Sequence, residues 1–368
     1  MKIVFIGLSI TSSWGNGHAT TYRGLVRELT ARGHDVTFLE RDVPWYAANR
    51  DLPRPPFGTT RLYAGFDQLR ERFGDAIRDA DLVVVGSFVP EGVRVGGWVT
   101  TIARGVTAFY DIDTPVTLAK LAQGDWEYVT PELVSRYQLY LSFTAGPTLE
   151  MLERNYGSQM ARALYCSVDP TLYRPQRGRK RWDLGYLGTY SLDRQPALDR
   201  LMLEPARRDR TLRTVVAGPM YPKTIRWPRK LTRIEHLPPE KHRAFYNAQR
   251  YTLNVTRRDM VKLGWSPSVR LFEAAACGTP IISDHWPGLG SLFAIGREIL
   301  VASSPADTLR FVRGIPEAER KAIAARARAR VLAEHTAAHR ALELERHVAG
   351  VASLGSDQAR PRPERLPG

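Results

Sequence analysis

The chain predicts an α/β protein with two parallel sheets, and three observations predict it. Short β-rich runs alternate with helical stretches through the first half, the same alternation restarts near residue 183, and a Pro-, Gly- and Arg-rich connector without apolar periodicity divides the two series. At 368 residues the chain exceeds one ordinary core and suits two domains of about 150 residues each.

In chain order, the first series comprises KIVFIGLSI, DVTFLE (35–40), DLVVVGSFV (81–89), GVTAFYDI (105–112) and QLYLSFTA (138–145). Between the first two lies TYRGLVRELTARGHD, where Leu25, Val26 and Leu29 form a helical stripe and Gly33 marks the stop. The connector VDPTLYRPQRGRKRW (168–182) precedes DLGYLGTY, LRTVVAG, RIEHLP, YTLNVTR, TPIISD and EILVAS. A long charged helix is expected over 316–348, with Ile323, Ala327, Val331 and Leu332 on its apolar stripe. The expected organisation is therefore an N-terminal domain (1–167), a basic linker (168–182), a second domain (183–315), a C-terminal helix (316–349) and a disordered tail (350–368).

The composition, 43% hydrophobic, 25% charged and 10% aromatic, excludes a disordered chain. Two distant cysteines, Cys166 and Cys277, exclude a disulfide scaffold and read as free thiols of a reducing cytosol. The apolar start lacks a small-residue cleavage site and reads as a first strand rather than a signal peptide. No apolar run reaches the roughly 20 residues of a membrane span, so any membrane contact is expected to be peripheral. The unusual quantity is the net charge of +15. Residues 174–258 hold 21 basic against 7 acidic residues and supply nearly all of the excess. Of the 53 basic residues 45 are Arg, a bias that a GC-rich genome explains, whereas the clustering needs another cause. Nucleic acid is the obvious anionic partner, but no recognition helix or aromatic-interleaved RNA motif accompanies the charge.

The loop SITSSWGNGHATTYRG follows the first strand and places Gly15, Asn16, Gly17 and His18 where a helix starts, a position that lets backbone N–H groups approach an anion. An ordinary strand-to-helix turn explains it equally well. The GxGxxG spacing of a dinucleotide site is missing, so Glu40 at the end of the second strand is poor evidence for NAD. In YDIDTP (110–115), Asp111 and Asp113 end a first-domain strand; they, or His18, can contact an acceptor or sugar and one can act as a general base, against the plainer reading of turn capping.

The segment NVTRRDMVKLGWSPSVRLFEAAACGTPIISDHWPGLGSLF (254–293) carries the strongest signal. Ser266 and Pro267 open a helix that Ser268 can cap, which leaves N–H groups and the positive dipole end for a phosphate. Arg270 and Glu273 share a helix face, suited to phosphate and ribose hydroxyls; an intrahelical ion pair is the alternative.

The string SPSVRLFEAAACGTPIISD resembles the donor-site helix and strand of GT-B glycosyltransferases, in particular the family 1-like proteins grouped with the spore maturation CgeB family. LGYLGTYSLDRQ, LNVTRRDM and EHTAAHRA extend the resemblance over the second domain and final helix, and the first domain follows loosely. It implies a GT-B architecture of two Rossmann-like domains facing across a cleft, with acceptor in the first and donor in the second. It also implies a bacterial, cytoplasmic, hexosyltransferase-type enzyme. Glu273 matches the residue that binds the donor ribose, Ser266, Pro267, Ser268, Val269 and Arg270 the diphosphate turn, and Gly188, Thr189, Tyr190, Arg194 and Arg257 the surrounding donor loops. Gly15, Asn16 and Gly17 fall on the acceptor side. Trp265 departs from the pattern: retaining relatives place a second Glu eight residues before the ribose Glu, which leaves retention versus inversion open.

The expectation is metal-independent sugar transfer from a nucleotide-diphosphate sugar to an unidentified, acidic or membrane-associated acceptor, with no cofactor and no nucleic-acid partner. A sugar-nucleotide epimerase or a catalytically silent module of the same architecture are the alternatives, and a nucleic-acid-binding protein a distant one. The basic quarter lies beside the predicted diphosphate turn in sequence, where it can steer an anionic donor or hold an acidic acceptor or a membrane surface.

Overall fold

A computed structural model describes residues 1–15 and 17–358. The chain divides into two compact units, 1–165 with 337–368, and 166–336.

Seven strands form the sheet of the first unit: β1 (Lys2–Gly7), β2 (Asp35–Arg41), β3 (Thr59–Tyr63), β4 (Leu82–Gly86), β5 (Val106–Asp111), β6 (Leu139–Ser142) and β7 (Ala161–Ala163). Their spatial order is β3-β2-β1-β4-β5-β6-β7, and every pairing is parallel. Burial on both faces explains why β4 reads LVVVG, an unbroken apolar run rather than an alternating one. The core combines the expected helix stripe of Leu25, Val26 and Leu29 with Phe5, Phe38, Val84 and Tyr110.

The second unit repeats the design with β8 (Trp182–Leu187), β9 (Thr214–Ala217), β10 (Leu231–Ile234), β11 (Gln249–Asn254), β12 (Ile281–Ser283) and β13 (Leu300–Val301). The order β10-β9-β8-β11-β12-β13 is again wholly parallel. In each sheet the strand order reverses on either side of the first strand, so a crevice opens at the carboxyl ends of β1 and β4 and of β8 and β11. Open parallel sheets bind their ligands at such switch points.

Three features differ from the sequence expectation. The basic connector packs within the second unit, and the single helix expected over 316–348 is two, Glu317–Glu334 and Ala337–Gln358. The break falls at His335, whose φ of −129° leaves the helical region. The second helix belongs to the first unit: Ala341, Leu344 and Val348 enter its core, and Glu345 accepts from Arg32 and faces His34 at 2.6 and 2.7 Å. It runs past Gly350, where a disordered tail was expected, to Gln358; the last ten residues of that tail lie outside the described residues. Both cysteines are free and buried. No helix among the described residues is long and apolar enough to cross a membrane.

Candidate functional site

In the second unit the crevice between β8 and β11 is built around arginine. The eight-residue helix Val269–Ala276 points its N-terminus there, with Ser268 at the N-cap position, but the Ser268 side chain does not cap. Its Oγ instead accepts from Arg270 Nε at 3.1 Å. Pro267 precedes the cap instead of opening the helix. The result still serves an anion, since a helix start without a side-chain cap leaves N–H groups for a ligand. Arg270 spans the crevice: Nη1 donates to the Leu187 carbonyl at 2.9 Å and Nη2 to the Val255 carbonyl at 3.3 Å, tying the loops after β8 and β11. Gly188 makes room for it, because a Cβ there would stand 2.7 Å from Arg270 Nη1. No ion pair joins Arg270 to Glu273 among the described residues.

Arg194 lies 7% exposed at the start of the helix Gln195–Leu198. Its Nε donates to Ser191 Oγ at 3.0 Å and Nη2 to the Thr189 carbonyl at 2.6 Å, which positions the guanidinium without neutralising it. Burial first, and then repulsion from Arg270 and Arg257, push its pKa below the ordinary arginine range. A buried cation repelled by two others is a cost in the empty protein that a bound dianion would remove. Arg257 is exposed at the N-cap of the helix Arg258–Leu263. Thr189 is exposed, and Tyr190 packs edge-on against Tyr221.

Glu273, 4% exposed, accepts a hydrogen bond from the Tyr246 hydroxyl at 3.0 Å, and Tyr173 presents its hydroxyl to the same carboxylate. Trp265 occupies the left-handed region at φ +42° and donates its N–H to the Pro287 carbonyl at 2.6 Å. Gly288 sits against its ring, where a Cβ would approach Trp265 Cγ to 2.5 Å. An indole clamped in an unfavourable backbone conformation thus stands just before the start of the helix Val269–Ala276. Ser266 is buried.

In the first unit, the loop after β1 is tied to buried Glu40, which accepts from the N–H groups of Ile10 and Thr11 at 2.7 and 3.0 Å and from the Ser9 and Thr11 hydroxyls. Glu40 is therefore a scaffold for this loop, which explains the strand-end acid that sequence spacing could not connect to a dinucleotide. Gly15 takes φ +63° and Gly17 is the N-cap of His18–Ala31; Asn16 lies outside the described residues. His18 is 5% exposed, with Nε2 2.9 Å from Asp113 Oδ2 and its ring edge-on to Phe88. Asp113 is the reachable member of this pair, its side chain 42% exposed. Asp111 lies behind this pair: wholly buried, it accepts from Thr117 Oγ1 and the Tyr140 hydroxyl, each at 2.6 Å, and from the Asp113 backbone N–H. Burial raises its pKa to about 6 against those hydrogen bonds. Among the described residues no group of three or more His, Cys, Asp or Glu side chains is arranged to hold a metal ion.

Sequence reasoning missed Tyr246, Tyr173, Asp193 and Tyr221. Asp193 ties the loops after β8 and β11 by accepting from Arg258 N–H at 2.9 Å, and Tyr221 donates to the Gly188 carbonyl at 3.1 Å. Only Asp193, inside the LGYLGTYSLDRQ string, carried a local signal.

Two Rossmann-like parallel-sheet units of this order, with the cationic crevice at the carboxyl ends of the second sheet, define the GT-B fold. Residues 194–346 match the family described as glycosyl transferase-like. Among solved structures, the chain is similar to sucrose-phosphate synthase from Thermosynechococcus elongatus at 14% identity, with TM-score 0.67 over 96% of this chain and 100% of that one. It is similar to HepE from Anabaena in complex with UDP and glucose at 12% identity, with TM-score 0.70 over 95% of this chain and 100% of that one. A glycosyltransferase from Rickettsia africae shares 8% identity, with TM-score 0.67 over 95% of this chain and 99% of that one. No curated protein matches the chain in sequence.

Proposed function

We propose that the protein is a glycosyltransferase that takes a sugar from a nucleotide-diphosphate donor held in the second unit. The carrying observation is Arg194, a buried guanidinium facing two further arginines at the switch point, beside the start of the helix Val269–Ala276. The diphosphate lies between Arg194, Arg270 and the N–H groups of Val269 and Arg270, and the ribose hydroxyls donate to Glu273, which Tyr246 orients. HepE has been captured with UDP and with UDP-glucose, which makes UDP the first probe.

Asp113 is the general base of this reading, with His18 fixing its carboxylate. The acceptor hydroxyl gives its proton to Asp113 as its oxygen bonds to the anomeric carbon. The bond from that carbon to the β-phosphate oxygen breaks, and its electron pair leaves with the nucleoside diphosphate, whose charge the arginines and helix N-terminus stabilise. Direct attack assisted by Asp113 as base inverts the anomeric carbon. The hexose class of the sugar and the likeness to CgeB-like proteins belong to the same proposal. A thermal-shift screen of nucleotide sugars followed by a nucleoside-diphosphate release assay tests it. A selective ligand should raise the melting temperature by mass action, and diphosphate should appear in step with a supplied acceptor. Binding without release under any acceptor would instead mark a silent module.

A further inference from the structure

The basic quarter of the sequence divides in the fold, and most of it is not at the donor crevice. Arg194 and Arg257 lie at the carboxyl ends of the strands, but Arg181 immediately precedes β8, Arg213 precedes β9 and Lys230 precedes β10, all at the opposite, amino-terminal edge of the same parallel sheet. The connector is laced to this edge. Gln176 N–H donates to Asn247 Oδ1 at 2.7 Å, Lys180 Nζ to the Asn247 carbonyl at 2.7 Å, and Arg181 N–H to the Ala248 carbonyl at 2.8 Å, next to the first residue of β11. The acids present are occupied or outnumbered: Asp183 is held by Arg213, Asp209 by Arg313 and Glu317 by Arg320, and Glu240 stands beside Lys241 in sequence. Arg174, Arg177, Arg179, Arg181, Arg229 and Lys230 are exposed, and none forms an ion pair among the described residues. These cations stand at the wrong end of the strands to touch a donor in the crevice, so the sequence expectation that placed them beside the diphosphate turn is corrected by topology.

We propose that this amino-end edge is a docking surface for an anionic lipid bilayer. Six exposed cations without acidic partners among the described residues match the electrostatics of such a surface. Leu172, two residues before Arg174, is 61% exposed and supplies the apolar contact that a purely electrostatic partner would not need. Nucleic acid fits less well. The nearby Trp182 is buried beneath the Arg181 guanidinium rather than offered as a stacking platform, and the neighbouring helix His242–Asn247 has only six residues to present to a groove.

The test is co-sedimentation of the full chain with phosphatidylcholine vesicles and with vesicles carrying about one third phosphatidylglycerol, across a salt series. Binding should require the anionic lipid and fade with salt. The triple variant Arg177→Glu, Arg179→Glu, Arg229→Glu should lower it at least about tenfold, and Leu172→Ala should lower it further. UDP affinity, read on the same preparations, should stay unchanged and shows that the variants are folded; the triple Gln variant repeats the test with a milder change. Absence of binding to anionic vesicles, or binding indifferent to these substitutions, overturns the proposal. So does displacement from vesicles by RNA together with indifference to Leu172→Ala, which would make the edge a site for a soluble polyanion.

Discussion

Arg194→Gln separates a ligand-binding arginine from a structural one. One N–H each of Nε and Nη2 is committed to Ser191 Oγ and the Thr189 carbonyl, which leaves both N–H groups of Nη1 and the second of Nη2 for a phosphate. One charge-assisted hydrogen bond is worth about 1.5–3 kcal/mol, so the dissociation constant for UDP should rise between roughly 10- and 150-fold. The empty protein should respond far less than to an ordinary core substitution. Losing the two positioning bonds costs about 2 kcal/mol, and relief of a buried charge repelled by Arg270 and Arg257 offsets it, so the ligand-free melting temperature should stay within about 3 °C of the native chain. Titration calorimetry and a ligand-free melt, run on one preparation, read both quantities. UDP affinity within about twofold of native, or a ligand-free protein that no longer folds, would refute the reasoning, the first by removing the phosphate contact and the second by making Arg194 a scaffold.

Glu273→Gln should weaken UDP about tenfold yet leave inorganic pyrophosphate binding unchanged, because only the nucleotide has a ribose to place; equal losses for both in calorimetry would assign Glu273 to the fold alone. Asp113→Asn should reduce turnover on the order of 100-fold at unchanged UDP affinity, and His18→Ala should reduce it less, since it positions the base; steady-state rates with both variants near native would remove the pair from catalysis. Asp111, with its pKa raised to about 6 by burial, binds a proton in the folded state that the unfolded chain releases near pH 4. Stability should therefore fall as pH rises from 4 to 6 and level off above, by about 3 kcal/mol for this group, and Asp111→Asn should flatten that portion of a denaturation series.

The alternation of strands and helices was legible because a strand buried on both faces must be an apolar run, as in LVVVG of β4, and a long helix carries a buried stripe, as with Leu25, Val26 and Leu29 in His18–Ala31. The helix Val269–Ala276 was legible for a similar reason, since Arg270 and Glu273 lie within one helix and local spacing puts them on one face. The Ser268 cap was misjudged because Arg270 competes for its oxygen, a choice made by side-chain rotamers rather than by sequence. The break at His335 was hidden inside a run rich in Ala and Arg, where helix propensity is high on both sides. Partners far apart in the chain left no trace, as with Tyr246 and Glu273, 27 residues apart, or His18 and Asp113, 95 apart. The charge cluster misled for a topological reason: each connection in a parallel sheet returns the chain from the carboxyl edge to the amino edge, so neighbours in sequence end at opposite ends of the unit.

If the crevice at the carboxyl ends of β8 and β11 seats the diphosphate of a nucleotide sugar, a crystal structure of the chain with UDP should show it. Phosphate oxygens should stand within hydrogen-bond distance of Arg194 and the N–H groups of Val269 and Arg270, with the ribose hydroxyls on Glu273. A nucleotide bound elsewhere, or a filled crevice in which Arg194 contacts no phosphate, would contradict this placement.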